Sequence, residues 1–204
     1  MEQYGKLDFK QRRIGITGGI ACGKSAIGNY LSMQKNLIVL DADNFSKYFL
    51  KPNNDTYTKI INHFGNKITT DSCPKKEIDT KALREIIFNS KKERVWIESL
   101  LHPLIKRKIK VECEKLEHKK ILFLLIPLLF EAKFDDLCTE IWLIKCSRDT
   151  QKKRLMKRDN LSEKEANRII NMQENSIEKE KMSQVILNTD VPKVEWEKSI
   201  DALI

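Results

Sequence analysis

The chain has 204 residues, of which 41% are hydrophobic and 33% are charged, and its formal net charge is +9. These values are typical of a globular protein with one main core, and no apolar run approaches the roughly 18 residues of a membrane-spanning helix. The basic charge suits polyanions such as nucleotides, an acidic coenzyme, nucleic acid or a membrane surface. Alternatively, it reflects lysine-rich helices facing solvent.

The cysteines are odd in number and widely spaced, and they form no C-x-x-C pair. They are Cys22, Cys73, Cys113, Cys138 and Cys146. This pattern argues against a disulfide framework or a zinc site and indicates a reducing compartment. Residues 1–11 lack the apolar segment of a signal peptide. We therefore expect a cytoplasmic protein.

A phosphate-binding loop is predicted between a strand at 12–17 and a helix at 24–34. Gly18 is followed after four residues by Gly23, Lys24 and Ser25, which is the spacing of this motif. Its backbone N–H groups and the helix N-terminus bind phosphate, while the lysine reaches the β/γ-phosphates and the serine ligates Mg²⁺. The predicted nucleotide-binding residues are Gly18, Gly19, Ile20, Ala21, Cys22, Gly23, Lys24, Ser25 and Ala26. The alternative is a glycine-rich turn that binds nothing.

Two carboxylates follow the next apolar run. Residues 37–40 predict a buried strand, which ends in Asp41-Ala42-Asp43. Ligands of open parallel sheets bind at the carboxyl ends of the strands. We therefore expect Asp43 to act on a ligand rather than merely to cap a helix at 44–50. Asp41 either has a task there or is a cap.

Residues 52–119 predict helices without strands, which indicates an inserted helical lobe. Helices are expected at 56–64, ending at Gly65, and at 80–89. Ser90 begins a third helix in capping-box form. His102-Pro103 is expected to interrupt it, because proline disfavours helix in the residue before it, and a new helix follows.

The remaining residues return to alternating strands and helices. Strands are expected at 121–126, 140–146 and 184–188, with a closing helix at 192–203. Between them, Ser147 caps a basic helix that carries Arg154 and Arg158 on one face, and a capping box at Ser162 opens a helix through about 175. This charged helical pair is predicted to form a mobile lid.

This order of elements predicts an α/β fold with a doubly wound parallel sheet. We divide it into three parts. The nucleotide-binding core comprises 12–42, 119–147 and 183–204, the helical lobe comprises 43–118, and the lid comprises 148–182.

Several stretches carry a resemblance to one family. They are Ile16 to Ile20, the loop through Ser25, Asp41-Ala42-Asp43, Leu101 to Ile105, Pro127 to Glu131, Arg154-Leu155, Arg158-Asp159 and Gln173. In this order and spacing the chain resembles the bacterial dephospho-CoA kinases over about residues 13 to 188. The resemblance implies ATP-dependent phosphorylation of the ribose 3′-hydroxyl of dephospho-CoA. It also implies the P-loop NTPase fold, with three α/β/α layers, a five-stranded parallel sheet, a coenzyme-binding lobe and a lid.

The resemblance also implies roles for individual residues. The catalytic set is Lys24, Asp43, Arg154 and Arg158, with Asp43 beside the acceptor hydroxyl. The substrate-binding set is Asp41, Asp43, His102, Pro127, Leu128, Phe130 and Glu131. Asn188 either approaches the adenine or is a turn residue, His102 either helps to end a helix or touches ligand, and Glu131 either supports the coenzyme or starts a helix. The two arginines either bind phosphate and adenine or are solvated charges.

Cys22 stands where the family usually has serine. It is either a small replacement or a reactive thiol, because a helix N-terminus lowers the pKa of a thiol. Neighbouring departures are Ala21 and Ala26 in the loop, together with Lys47 and Thr80 at positions where arginine is common. None of them removes the glycines, the lysine or the serine of the motif.

Two rival functions share the phosphate loop. The first is a kinase of nucleosides or nucleotides. The second is a P-loop switch or nucleic-acid-binding NTPase, but the sequence contains no Asp-x-x-Gly or Asn-Lys-x-Asp motif and only 7% aromatic residues. We expect ATP and dephospho-CoA as substrates, Mg²⁺ as cofactor, no nucleic-acid or membrane partner, and a monomer or weak homo-oligomer.

Overall fold

The structure is a computed structural model that describes residues 11–52, 54–70, 77–172 and 176–204. Residues 1–10, Cys73 and Gln173 lie outside the described residues. The sheet contains five parallel strands in the order β2-β3-β1-β4-β5. The strands are β1 (Arg12–Gly18), β2 (Val39–Asp41), β3 (Ile121–Leu125), β4 (Glu140–Lys145) and β5 (Val185–Asn188).

Turns and a short 3₁₀ segment join β3 to β4, and α-helices follow each of the other strands. The α-helices are α1 (Lys24–Asn29), α2 (Ala42–Phe49), α3 (Asp55–Phe64), α4 (Thr80–Asn89), α5 (Lys91–Lys115), α6 (Arg148–Asp159), α7 (Glu163–Asn171), α8 (Ser176–Lys181) and α9 (Lys193–Asp201). A π-helical turn, Tyr30–Gln34, continues α1, and short 3₁₀ turns lie at Gly65–Ile68 and Asp135–Leu137. No helix in the described ranges is both long and apolar enough to cross a membrane.

The core is built on β1, β3 and β4, the three central strands. Ile14 and Ile16 of β1 and Trp142 of β4 are inaccessible to solvent. Strands of a parallel sheet are covered on both faces, so they read as apolar runs, and this is why the pattern predicted them. The five-stranded parallel sheet is confirmed.

The helices after β1 and β5 pack on the same core. Ile27 and Leu31 are fully buried, as expected for the apolar face of the first helix. Tyr30 meets Trp196 of α9 edge to face, with ring centroids 5.6 Å apart. The segment between β1 and α1 therefore begins and ends in well-packed elements.

The chain forms two compact units. The first contains residues Met1–Asp41 and Cys113–Ile204, and the second contains Ala42–Glu112. The boundaries of the second unit differ by one residue at the start and six at the end from those of the lobe predicted at 43–118. The division of the first unit into a core and a lid remains a prediction.

The predicted break at His102-Pro103 is wrong, because α5 runs unbroken through Pro103. Buried side chains recur every four residues on both sides of the proline. They are Ile97, Leu101, Ile105, Ile109 and Cys113. This continuous apolar stripe stabilises the helix by more than the proline destabilises it, since helical stability in proteins comes mainly from packing. His102 therefore lies within the helix and ends nothing.

Most other boundaries differ by one to three residues from the prediction. The helix predicted through about 175 ends at Asn171, and residues 173–175 lie outside the described residues. Strand β2 is Val39–Asp41, and its last residue pairs with Leu125, so Asp41 belongs to the strand that it was expected to follow. Helix α2 starts at Ala42 instead of 44. The predicted helix 24–34 changes at Tyr30 to a π-helical turn. Helix α8 was not predicted.

Candidate active site

The loop between β1 and α1 requires glycine at two positions. Gly18 has φ +147°, and a Cβ atom there would lie 2.2 Å from the carbonyl oxygen of Ile144, which is a backbone atom of a central strand. Gly23 has φ +96°, in the left-handed region that favours glycine. Both glycines of the motif are thus fixed by the local backbone, and the loop turns directly into α1.

Lys24 extends back over the loop. Its ammonium donates to the carbonyl oxygens of Gly18 at 2.6 Å and Gly19 at 2.7 Å. These carbonyls hold the positive charge at the start of α1, where an anion is also favoured by the helix end.

Two further side chains hold loop carbonyls from outside the motif. Gln151 of α6 donates from Nε2 to the carbonyl of Ile20 at 2.9 Å. Thr189, which follows β5, donates from Oγ1 to the carbonyl of Cys22 at 2.8 Å. A loop that binds an anion through its N–H groups must turn its carbonyls away from that anion. In this protein, side chains donate hydrogen bonds to the carbonyl oxygens of residues 18, 19, 20 and 22.

Thr189 also links the loop to the basic helix. Thr189 as a whole is only 3% exposed. The Arg154 guanidinium donates to its hydroxyl at 2.9 Å and to its carbonyl oxygen at 2.7 Å. Neither Thr189 nor Gln151 is among the residues predicted from the sequence. A signal for each existed: Thr189 follows a predicted strand at the ligand-binding edge, and Gln151 lies one turn before Arg154 on the same helix face.

The two arginines of α6, Arg154 and Arg158, make different contacts. Arg154 binds Thr189, whereas Arg158 forms two hydrogen bonds of 2.8 Å to the carboxylate of Asp159. The hydrogen bond and charge of Asp159 outweigh burial and raise the pKa of Arg158. Arg154 is therefore the one connected to the phosphate loop in this structure.

Asp41 and Asp43 lie in different compact units. Asp41 ends β2, and Gly18 ends β1; because the sheet is parallel, both lie at its carboxyl edge. Asp43 is exposed in the first turn of α2, in the second unit. It lies inside the helix instead of capping it, although a negative charge in a first turn is favourable.

The Pro127 to Glu131 segment forms turns directly after β3. The hydroxyl of Thr17, in β1, donates to the carbonyl of Pro127 at 3.1 Å. Leu128 is 36% exposed, Phe130 is half-buried, and Glu131 forms an ion pair with Lys179 of α8. Glu131 lies in these turns and starts no regular helix, so the alternative that it begins a helix is wrong. Its role toward a coenzyme remains a prediction.

Asn188 and His102 are two further residues that were predicted to contact a ligand. Asn188 accepts a hydrogen bond from the backbone N–H of Asp190 at 2.9 Å, which is the behaviour of a turn residue. His102 lies in mid-helix, and burial lowers its pKa despite the nearby charge of Glu98. Adenine contact by Asn188 and ligand contact by His102 remain predictions.

The donor set suits a metal that arrives with a nucleotide. The described residues contain no cluster of three or more His, Cys, Asp or Glu side chains that would hold a metal alone. Mg²⁺ usually keeps several waters and takes one or two protein oxygens together with substrate phosphates. The exposed hydroxyl of Ser25, in the first turn of α1, fits this pattern.

Comparison with known proteins decides the family. The model of the dephospho-CoA kinases matches residues 12–194. The chain belongs to the dephospho-CoA kinase family. A dephospho-CoA kinase of Prochlorococcus marinus subsp. pastoris is 48% identical over 204 residues, with 100% of both chains covered. That of another Prochlorococcus marinus strain is 49% identical over 205 residues, again with 100% of both covered.

Solved structures agree with this family assignment. The dephospho-CoA kinase from Campylobacter jejuni is 28% identical, covers 94% of each chain and superposes with a TM-score of 0.67. The shikimate kinase from Acinetobacter baumannii is 12% identical with a TM-score of 0.56, which shows a shared fold alone. The predicted family and the predicted P-loop NTPase fold are both confirmed.

Proposed function

We propose that the protein transfers the γ-phosphoryl group of ATP to the ribose 3′-hydroxyl of dephospho-CoA, giving CoA and ADP in the final step of CoA biosynthesis. The observation that carries the proposal is a fully formed phosphate loop in a chain that matches the dephospho-CoA kinase family over residues 12–194. The nearest rival reaction, phosphorylation of a nucleoside or nucleotide, shares the loop but not the family.

Positioning and charge stabilisation carry most of the catalysis, because phosphoryl transfer passes through a loose transition state. Lys24 exchanges the carbonyls of Gly18 and Gly19 for the β/γ-phosphates when ATP binds. The Ser25 hydroxyl would hold Mg²⁺, which would supply positive charge beside the phosphate oxygens. Residues 18–26 bind the nucleotide in this proposal. Asn188, the last residue of β5, is proposed to contact the adenine.

Arg154 and Arg158 add positive charge from α6. Guanidinium groups match phosphate in a two-pronged geometry. Arg154 is already connected to the loop through Thr189, which supports assigning it to the phosphates. Arg158 then contacts the transferred group or the adenine when the lid, residues 148–182, closes.

Asp43 aligns the acceptor hydroxyl. A carboxylate is a much weaker base than a ribose alkoxide, so it accepts the proton late in the transfer. The lobe at 43–118 binds the coenzyme. The remaining substrate contacts are Asp41, His102, Pro127, Leu128, Phe130 and Glu131.

Four described cysteines are free thiols, which supports a reducing cytoplasmic location. We propose a monomer or weak homo-oligomer.

Mass spectrometry of the reaction products tests this function. Purified protein is incubated with Mg-ATP and, in separate reactions, with dephospho-CoA, adenosine, uridine, AMP or CMP. CoA formed only in the first reaction is the expected result. Phosphorylation of one of the other acceptors, without CoA, would leave the phosphate loop assigned and replace the acceptor.

A further inference from the structure

Two cysteines meet at the phosphate loop although they lie far apart in sequence. Cys22 is in the loop, and Cys146 directly follows β4. Their sulfur atoms are 3.4 Å apart, with the Cys146 thiol donating to the Cys22 sulfur. A disulfide bond needs the sulfurs at about 2.05 Å, so a movement of little more than an ångström would join them.

The backbone around the pair is already tied together. Thr189 Oγ1 lies 2.8 Å from the carbonyl of Cys22 and 3.3 Å from the carbonyl of Lys145, which is the residue before Cys146. The two thiols are therefore carried by chain segments that share one buried hydroxyl. Their proximity is a property of the packed core, to which both cysteines contribute.

We propose that Cys22 and Cys146 form a reversible disulfide on exposure to a hydroperoxide, and that this bond prevents the phosphate loop from binding ATP. The proposal rests on the function given above for its consequence, because it assigns regulation to the same loop. The chemical class of the oxidant follows from burial. Cys22 is 4% exposed, so an oxidant of about the size of water reaches it, whereas a bulky disulfide is excluded.

The reaction has two steps. The Cys22 thiolate attacks one oxygen of hydrogen peroxide; an S–O bond forms, the O–O bond breaks, and hydroxide leaves and takes a solvent proton. The Cys146 sulfur then attacks the sulfenic sulfur; the S–S bond forms, the S–O bond breaks, and the departing hydroxide takes the Cys146 proton. Two thiols lose two electrons in all, and one peroxide becomes two waters.

The surroundings of the pair suit this division of roles. The hydrogen bond from Cys146 lowers the pKa of Cys22 against the effect of burial, and the charges of Lys24 and Arg154 lower it further. The same hydrogen bond raises the pKa of Cys146, which keeps its proton for the second step. Cys138 is a natural internal control, because burial raises its pKa to about 12 and leaves it a thiol.

The disulfide would act on ATP through the loop backbone. Cys22 lies between Ala21, with φ +57°, and Gly23, with φ +96°, so both of its neighbours are in left-handed conformations. Moving its sulfur toward Cys146 pulls on this strained turn and on the carbonyl held by Thr189. A misplacement of about 1 Å in an active site can lower the reaction rate by on the order of 10²-fold.

The test compares the full-length chain with Cys146→Ser and with the matched control Cys138→Ser. Each protein is treated with hydrogen peroxide, digested and searched for linked peptides by mass spectrometry, and its ATP affinity is measured by calorimetry before and after dithiothreitol. In the wild type and Cys138→Ser we expect a Cys22–Cys146 link and a loss of ATP affinity on the order of tenfold or more, restored by the reductant. In Cys146→Ser we expect no link, because the sulfenic acid of Cys22 then has no neighbouring thiol with which to condense.

Three results would overturn the proposal: no Cys22–Cys146 link in oxidised protein, a link from Cys22 to Cys73 in its place, or linked protein that binds ATP unchanged. CoA formation by the reduced protein is measured separately. Failure of that assay removes the proposed acceptor, while the link and the ATP affinity still decide the thiol switch.

Discussion

Asp43 is the residue on which the acceptor assignment depends. Asparagine keeps its size and removes its negative charge. We expect Asp43→Asn to lower kcat by about 10²–10⁴-fold with little change in the KM for ATP, because in the proposed mechanism the carboxylate acts on the hydroxyl and not on the nucleotide. Steady-state kinetics with dephospho-CoA measures both constants.

The matched control is Asp55→Asn, which changes another exposed carboxylate in a first helical turn, that of α3. It should leave kcat as it is. If Asp43→Asn lost less than about tenfold in kcat, below the range of general-base groups, Asp43 would not be the group at the acceptor hydroxyl.

Thr189 joins three parts of the site through one hydroxyl. Thr189→Val keeps the shape but leaves the Cys22 carbonyl and one Arg154 N–H without this partner. Since the residue is buried, we expect the free energy of unfolding to fall by about 1–3 kcal/mol, and the Kd for ATP to rise. Urea denaturation and calorimetry measure the two effects.

Ser199→Ala provides the comparison for Thr189→Val. It removes an exposed hydroxyl that donates to the carbonyl of Glu195 at 3.0 Å, so we expect a change within about 0.5 kcal/mol. Equal losses from the two substitutions, with ATP affinity retained in both, would show that Thr189 does not shape the loop.

Residues of the phosphate loop could be predicted from sequence because their spacing carries their chemistry. Gly18, Gly23 and Lys24 occupy a short stretch, and each is required by local geometry. Thr189 could not be found in this way, because it reaches Cys22 across 167 residues and only the order of the strands brings them together. The contact between Cys22 and Cys146, which are 124 residues apart, could not be predicted for the same reason.

Helix α5 shows how packing overrides a local rule. Pro103 has no N–H to donate to the carbonyl of Ser99, yet the helix continues for another twelve residues to Lys115. Pro103→Ala restores that hydrogen bond and removes the ring clash. We expect the free energy of unfolding to rise by about 1–3 kcal/mol, as measured by urea denaturation.

Pro192→Ala is the control for this substitution. Pro192 is the N-cap of α9, where no intrahelical hydrogen bond is lost to proline, so its replacement should change stability by less than about 1 kcal/mol. A Pro103→Ala protein no more stable than the wild type would mean that α5 bends around the proline at no cost.

Capping and apolar periodicity predicted most of the other elements. Ser147 accepts from the backbone of Thr150, and Ser162 with Glu165 forms the predicted capping box. Both signals are local, so the sequence displays them. Helix α8 was missed because its six residues, Ser176–Lys181, are mostly charged and show no apolar period that distinguishes them from a loop.

At the scale of the molecule, the sequence pattern changes near the divisions between the two compact units. Apolar strand runs give way to amphipathic helices near 42 and return at 121, whereas the units divide after Asp41 and after Glu112. The attachment of α6 and α7 could not be predicted. Leu155, Ala166 and Ile170 form a small cluster against which Ile20 and Ala21 pack, so α6 and α7 contact the loop directly.

Acid stability follows from carboxylates that tie distant segments of the first unit together. Hydrogen bonds from Lys35 and Tyr30 lower the pKa of Asp201, which accepts at 2.7 Å from each. Burial by itself would raise the pKa of Glu140, but the hydrogen bonds from Arg12 and Trp142 outweigh it and lower the pKa. Both groups bind protons more weakly in the folded chain than in the unfolded chain.

The sign of the pH dependence is therefore fixed. A lowered folded pKa contributes stability above the unfolded value of about 4, and this contribution is lost as pH falls through the folded value. We expect the urea midpoint to fall from pH 7 to pH 3. Asp201→Asn should have a lower midpoint than the wild type at pH 7, and the difference should shrink toward pH 3.

Glu117→Gln, which changes an exposed side chain just past α5, is the control and should follow the wild type at both values of pH. The slope of unfolding free energy against urea should be the same in all three proteins, because the surface exposed on unfolding is unchanged. A constant gap between Asp201→Asn and the wild type from pH 7 to pH 3 would mean that Asp201 stabilises by its shape alone. A shrinking gap assigns the stability to its charge, and with it the attachment of α9 to the turn that follows α1.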